Sequence, residues 1–84
     1  IEFVSSNNDC QLIAFTAVNN ISDGIKLTAT SDRISISNSS ILTNGGYGIN
    51  IAAATCDNNS VVVPLYNGNV SGTLSNSGTG TIII

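Results

Sequence analysis

The sequence is poor in charge, and it lacks residue types on which active-site chemistry depends. Its 84 residues include no His, Met or Trp, two Lys or Arg and five Asp or Glu, so the formal net charge is -3. Binding to a nucleic-acid backbone requires clustered Lys and Arg, and we therefore expect no nucleic-acid partner. Ser and Thr hydroxyls need a neighbouring base to act as nucleophiles, and no imidazole is present to supply one. We expect no complete active site within these residues.

Long apolar runs are also missing. A membrane-spanning helix needs about 20 consecutive apolar residues, and no run here, Thr81–Ile84 included, approaches that length. We therefore expect no membrane partner. The first residue is Ile rather than Met, and no basic stretch precedes an apolar one at the start. These features predict a processed chain or a piece of a longer one, and we favour the piece.

Cysteine is scarce, and its placement predicts neither a metal site nor a disulfide. Neither Cys10 nor Cys56 lies in a Cys-x-x-Cys motif, which argues against zinc. The two lie almost two repeats apart in the pattern described next, so their Cα separation should exceed the limit of about 7 Å for a disulfide. We expect free thiols. The alternative is a bond from Cys10 to another chain.

What the chain does contain is a repeat. The segment Gly24–Arg33 aligns without a gap on Gly48–Asp57, and Ile1, Ile25 and Ile49 fall in one column. The alignment sets a period of about 24 residues, which in a chain rich in Val, Ile, Ser, Asn and Gly is typical of a stacked β-solenoid. Clusters of Asn and Gly between the apolar segments mark the bends.

We predict one all-β domain over residues 1–84, a right-handed parallel β-helix (β-solenoid) of about 3.5 rungs of about 24 residues each. The third rung drifts, because the interval from Ile34 to Val61 is longer than the period and the interval from Val61 to Ile82 is shorter. Variation in loop length at the corners explains the drift. An antiparallel sandwich is the alternative, since short strands with frequent turns also suit that fold, but it has no reason to repeat at this interval. The predicted strands are Gln11–Phe15, Ile25–Leu27, Arg33–Ile36, Ile49–Ile51, Val61–Val63 and Thr81–Ile84.

The strand pattern also predicts which side chains face the interior. They are aliphatic residues that recur in the strand columns. The expected interior residues are Ile25, Leu27, Ile34, Ile36, Ile49, Ile51, Val61 and Val63.

The charged residues provide a second view of the register, because positions one period apart lie on adjacent rungs, separated by about 4.8 Å. Glu2 then lies over Lys26, and Asp9, Arg33 and Asp57 form one column. Opposite charges on neighbouring strands are favourable by up to about 1 kcal/mol. We therefore predict a cross-rung acidic neighbour for each basic residue.

The second half of the chain carries a family resemblance. The segments Asn44–Ile51, Ala54–Asn59, Asn67–Gly72 and Ser77–Thr81 resemble right-handed parallel β-helix repeats of the pectate-lyase-like superfamily. The similarity is strongest to versions found in bacteriophage tail proteins and bacterial surface proteins. The resemblance implies the fold and an extracellular or virion-surface location, and it does not imply an activity.

Members of that superfamily include lyases and glycosidases, so the acidic residues matter. Asp9 and Asp57 would lie two rungs apart, near the carboxyl separation of about 6.5–9.5 Å that inverting glycosidases use. Arg33 between them would keep both ionised, so structural pairing is the preferred interpretation. The segment Asn44–Gly48 resembles the start of a calcium-binding repeat but lacks its Asp. We expect no catalytic residue, no metal site and no cofactor.

Tyr and Asn side chains near the bends are the candidates for sugar contact. An exposed Tyr beside Asn and Gly can stack on a sugar ring, although Tyr at a corner also packs with its hydroxyl in water. Four Asn-x-Ser sequons arise from the composition, and Asn at recurrent corners is expected to stack its carboxamides along the solenoid. The candidate glycan-contact residues are Tyr47, Asn44, Asn50, Asn67 and Asn69.

These observations favour a non-catalytic structural and attachment segment of a phage tail fibre or spike, or of a related extracellular filament. One alternative is part of a polysaccharide-degrading β-helix enzyme whose catalytic residues lie elsewhere or between subunits. Another is a filament subunit that stacks end to end, because both ends of the chain are apolar and an open rung needs a cover. The expected partners are other copies of the chain, as a trimer or a stack, and a host surface glycan.

Overall fold

Short strands and tight corners alternate along the coil in the computed structural model, which describes residues 1–4, 7–62 and 65–84. The strands are two to five residues long, and the described residues contain no helix. None of them therefore forms a helix that could cross a membrane. The strands are β1 (Glu2–Phe3), β2 (Gln11–Ile13), β3 (Thr16–Val18), β4 (Ile25–Leu27), β5 (Ser35–Ser37), β6 (Ser40–Leu42), β7 (Tyr47–Ile51), β8 (Ser60–Val62), β9 (Leu65–Asn67), β10 (Gly72–Asn76) and β11 (Ile82–Ile83).

The strands stack into three parallel sheets, which confirms an all-β solenoid of about three turns. Sheet 1 has the order β1-β4-β7-β10, sheet 2 the order β2-β5-β8-β11, and sheet 3 the order β3-β6-β9. Every strand pair is parallel. Each turn contributes strands to the sheets in succession, so the antiparallel sandwich is excluded.

The register keeps the repeat interval of the sequence over the first two turns and then shifts. Ile25 lies opposite Ile49, one period later, but Ile49 lies opposite Leu74, which is one position beyond the next period. Between sheets 1 and 2 the connecting segment has seven residues after β4 (28–34), eight after β7 (52–59) and five after β10 (77–81). The drift of the third rung is therefore confirmed as a change in corner length. It places Val61 opposite Ile36, not Ile34.

Corners are made by residues in the left-handed region of the backbone, and these residues also stack. Asn19, Thr43 and Gly68 follow the three strands of sheet 3, and all three have positive φ. Ala14 has a φ of 54° and separates β2 from β3, so the single strand predicted for Gln11–Phe15 is interrupted by a bend. A left-handed residue costs an L-amino acid about 1–2 kcal/mol, and the fold accepts that cost repeatedly to turn between sheets.

The interior is a column of aliphatic side chains, as predicted. The described interior residues of the prediction are all fully buried, and Val63 lies outside the described residues. Ile34 is buried at a corner, because β5 begins one residue later than Ile34. The predicted strands omitted β1, β10 and the whole of sheet 3. In sheet 3, Ala17 and Ile41 are buried and Tyr66 packs against the core.

Replacement of Ile49 by Asp tests the register of sheet 1. Ile49 is fully buried between Ile25 and Leu74, and an unpaired buried charge costs several kcal/mol against a total stability of about 5–15 kcal/mol. We expect Ile49→Asp to abolish cooperative thermal unfolding, followed by circular dichroism. Thr73→Asp, at an exposed position of β10, is the matched control and should unfold like the parent chain. Unchanged unfolding of Ile49→Asp would show that the register is wrong.

Candidate functional site

A ladder of three Asn side chains runs along the corner between sheet 3 and sheet 1. Asn20 Nδ2 donates to Asn44 Oδ1 at 2.8 Å, and Asn44 Nδ2 donates to Asn69 Oδ1 at 2.9 Å. The same oxygens accept backbone N–H groups, from Asn20 to Asn44 Oδ1 and from Asn44 to Asn69 Oδ1. The expected stacking of carboxamides at recurrent corners is confirmed.

The ladder also satisfies carbonyls of sheet 3. Asn44 Nδ2 donates to the carbonyl of Ala17 at 3.1 Å, and Asn69 Nδ2 donates to the carbonyl of Ile41 at 2.9 Å. Asn59 plays the same part at the corner between sheets 1 and 2, where its Oδ1 accepts the N–H of Ile34. Asn44, Asn69 and Asn59 each accept a backbone N–H of the preceding rung that has no partner in a sheet because the chain bends there. Buried polar groups require such partners.

Glycine makes room for this ladder. A Cβ at Gly24 would lie 2.7 Å from Asn44 Nδ2, and a Cβ at Gly48 would lie 2.9 Å from Asn69 Nδ2. The carbonyl oxygens of Gly48 and Thr73 would lie 2.7 Å from the same two Cβ positions. The glycine of the Gly-Ile repeat therefore leaves room both for the ladder and for the main chain of the next rung.

Asp23 organises two of the candidate glycan-contact residues on sheet 1. Its Oδ1 accepts the backbone N–H of Tyr47 at 2.7 Å, and its Oδ2 accepts Nδ2 of Asn50 at 2.9 Å. The ring of Tyr47 lies against Gly72 of the next rung. Tyr47 and Asn50 are both half-buried, and the Asp23 carboxylate links the main chain of Tyr47 to the side chain of Asn50.

The other three candidates are divided between two settings. Asn69 belongs to the ladder, and Asn67 is exposed on the outer face of sheet 3. Asn44 is fully buried and its carboxamide is used by the ladder, so it is withdrawn as a sugar contact. The sequence-based interpretation missed Asn20 and Asp23, although Asn20 precedes Asn44 by one period of the repeat.

A shallow pocket of about 320 Å³ lies beside Asp23. Three charged residues, Glu2, Asp23 and Lys26, are among those that line it. The full set of lining residues is Ile1, Glu2, Asn20, Ile21, Ser22, Asp23 and Lys26. The polar groups at this wall are of the kind that bind hydroxyls of a small polar ligand.

Apart from Asp23, the charged residues lie on sheet 1 and on the corner between sheets 1 and 2. Glu2 lies opposite Lys26 in the parallel register. Arg33 Nε is 2.5 Å from Asp9 Oδ1, and Arg33 Nη2 donates to Asp9 Oδ2 at 3.0 Å. This hydrogen-bonded guanidinium lowers the pKa of Asp9 and keeps it ionised.

Asp57 is not in that column. Because the segment 52–59 has one residue more than its counterpart, the N–H of Arg33 donates to the main-chain carbonyl of Asp57, and the N–H of Asp57 donates to Asp32 Oδ1 at 2.9 Å. The expected alternation of acid, base and acid is corrected to one ion pair between Asp9 and Arg33 with Asp57 beside Asp32. Two carboxylates flanking a base at this corner are therefore not available for acid–base chemistry.

The two thiols and the Tyr66 side chain belong to the packing of the solenoid. Cys56 is buried and donates its thiol to the carbonyl of Ala29, and both Cys10 and Cys56 are free, as expected. Burial raises the pKa of Tyr66 to about 12, because its side chain packs against the core beside Ile41. Within residues 1–4, 7–62 and 65–84, no three His, Cys, Asp or Glu side chains are close enough together to hold a metal ion.

The chain matches no protein-family model, no curated protein and no solved structure.

Replacement of Asn44 by Ala tests the ladder. The change removes the four hydrogen bonds of the Asn44 carboxamide to Asn20, Ala17 and Asn69, at a net cost of roughly 0.5–1.5 kcal/mol for each bond. In a domain of this size, 1 kcal/mol shifts the Tm by about 4–8 °C, so we expect the Tm to fall by more than about 10 °C. Asn67→Ala, at an exposed position of the neighbouring strand, should change stability by less than about 0.5 kcal/mol. Equal effects of the two substitutions would contradict a role for the ladder.

Proposed function

We propose that the chain is a non-catalytic structural and attachment segment of a right-handed β-helix of the pectate-lyase-like type, in a bacteriophage tail fibre or spike or a related extracellular filament. The observation that carries the proposal is the stacking of three parallel sheets with a continuous carboxamide ladder at one corner. In such a coil each rung contacts only its neighbours, and rigidity along the axis comes from repeated identical contacts. A stiff spacer that displays side chains at fixed intervals is what an attachment fibre requires.

The attachment surface in this proposal is the outer face of sheet 1 with the adjoining corner. Tyr47 and Asn50 are held in place by Asp23, which also lines the neighbouring pocket. An aromatic ring beside fixed amide and carboxylate groups suits a sugar, whose ring has an apolar face and whose hydroxyls both donate and accept. The ligand class we propose is therefore a host surface glycan.

The charge arrangement favours attachment over catalysis. A glycosidase needs two carboxyls on opposite sides of the scissile bond, one of them protonated, whereas Arg33 keeps Asp9 ionised and Asp57 lies beside Asp32. If the chain belongs to a polysaccharide-degrading enzyme, the catalytic pair must come from other residues or another subunit.

Other copies of the chain are the further partners in the proposal. The outer edges of β1 and β10 pair with no other strand of residues 1–4, 7–62 and 65–84, and an unpaired edge is a template for another strand. A trimer of side-by-side coils and an end-to-end stack would both be compatible with the self-association that we propose.

Glycan binding by the purified chain tests the proposal. We expect retention of the chain on an array of bacterial surface polysaccharides, with loss of binding in Tyr47→Ala and Asn50→Ala. Ser37→Ala, on the outer face of sheet 2, should bind like the parent. Circular dichroism of the three variants separates loss of binding from loss of fold.

The same array also distinguishes the alternatives. Release of new reducing ends from a polysaccharide, abolished by Asp9→Asn or Asp57→Asn, would contradict the non-catalytic interpretation. Absence of binding to every polysaccharide by a folded parent chain would contradict attachment through this face.

A further inference from the structure

The chain contains two Asn-Gly dipeptides in opposite environments. The side chain of Asn44, which precedes Gly45, is fully buried at its corner, whereas Asn67, which precedes Gly68, is exposed at the end of β9. We propose that Asn67 is a site of spontaneous deamidation, whereas Asn44 is protected by the fold. The contrast has an internal control, because the reacting dipeptide is chemically identical at both sites.

The reaction needs only water and the chain itself. The amide nitrogen of the following glycine loses its proton to solvent base and attacks Cγ of the Asn. A new N–Cγ bond forms, the Cγ–Nδ2 bond breaks, and ammonia leaves. Water then opens the cyclic imide at either carbonyl, which gives Asp or isoaspartate. Glycine favours the attack because it has no Cβ to block the close approach. Deamidation of this kind is the reason that Asn counts among the thermolabile residues.

Asn44 cannot reach the geometry that this attack requires. Its Nδ2 donates to Ala17 and Asn69, and its Oδ1 accepts two hydrogen bonds from Asn20. The attacking nitrogen is also engaged, because the N–H of Gly45 donates to the carbonyl of Asn20 at 2.8 Å. Rotation of the side chain would break all four hydrogen bonds of the carboxamide, so imide formation at this site requires local unfolding.

Asn67 has none of these restraints on its side chain. It points outward at the end of β9, opposite Leu42, and in the described part of the chain no hydrogen bond holds its carboxamide. Its main chain is anchored, because its carbonyl accepts the N–H of Thr43 at 2.8 Å. Gly68 follows with a φ of 68°. The side chain can rotate without breaking a hydrogen bond, and the turn of the main chain that closes the imide ring breaks only the bond from Thr43, against the four carboxamide bonds lost at Asn44.

The attacking nitrogen of Gly68 connects this reaction to stacking. At the equivalent position of the two preceding rungs, the N–H groups of Asn19 and Thr43 donate to a carbonyl of the next rung. A rung placed over β9 would engage Gly68 in the same way and remove the nucleophile. Deamidation at Asn67 is therefore slower wherever the edge of β9 is covered.

The product would change the molecule where it is otherwise uncharged. Residues 58–84 contain no Asp, Glu, Lys or Arg, so a carboxylate at position 67 introduces the first charged side chain in that region. Isoaspartate also adds a carbon to the main chain beside Gly68, in the corner column that it shares with Asn19 and Thr43.

Peptide mapping by mass spectrometry tests the proposal on the intact chain. The chain is incubated in mildly alkaline buffer, folded in one sample and in concentrated urea in the other, and conversion at both Asn-Gly sites is followed with time. In urea the two sites should convert at similar rates. In the folded chain we expect conversion at Asn67 at least about tenfold faster than at Asn44, because only Asn44 needs the opening of a buried corner.

Two outcomes of this experiment would contradict the proposed difference between the sites. Equal rates at the two sites in the folded chain, or conversion of both in urea and of neither when folded, would overturn the proposal. An Asn67→Gln variant should show no rapid conversion at position 67, with Asn44 still protected. If rapid deamidation instead appeared at Asn44 in this variant, the carboxamide ladder would not be the protecting structure.

Discussion

The fold depends on one recurring interaction, the hydrogen bond from a corner N–H to the side-chain oxygen of an Asn one rung further along. Where the chain turns from one sheet to the next, backbone N–H and C=O groups at the bend lose their partners in the sheet. Such groups are costly to bury unless they find other partners. Asn44 and Asn69 supply those partners to the corners beneath them. The same Asn side chains also hydrogen-bond to each other, so this arrangement repeats from rung to rung.

Several features of the sequence follow from that interaction. Gly24 and Gly48 precede Ile25 and Ile49 because the ladder and the main chain of the next rung together leave no room for a Cβ at the glycines. The left-handed residues at the bends are Asn, Asp, Gly and a few residues that fit poorly, such as Thr43, whose hydroxyl donates to Asn19 Oδ1 at 2.6 Å. The low charge also fits a coil stabilised by carboxamides and hydroxyls, since few of its positions need an ion pair. The aliphatic columns then supply the burial that an 84-residue domain needs.

The fold class and most of the interior could be predicted from the sequence, and the site only in part. The column of Ile1, Ile25 and Ile49 was sufficient for the period and the parallel register of sheet 1, because an ungapped repeat needs no knowledge of the corners. The place of Asp57 could not be predicted in the same way. One inserted residue in the segment 52–59 moves Asp57 and strands β8, β9 and β10 by one position, until the short segment 77–81 reverses the shift, and nothing in the local composition marks it. Asn44 was recognised as a corner residue, but only the three-dimensional stacking shows that its carboxamide is fully used and buried.

The most direct test of this account is detection of the ladder in solution by NMR of the doubly labelled chain. Scalar couplings across hydrogen bonds should join the Asn20 backbone nitrogen to Cγ of Asn44, and the Asn44 backbone nitrogen to Cγ of Asn69. Their observation would establish both the ladder and the parallel order of the rungs. Absence of both couplings, together with nuclear Overhauser contacts of an antiparallel pattern between the strands around Ile25 and Ile49, would contradict the account.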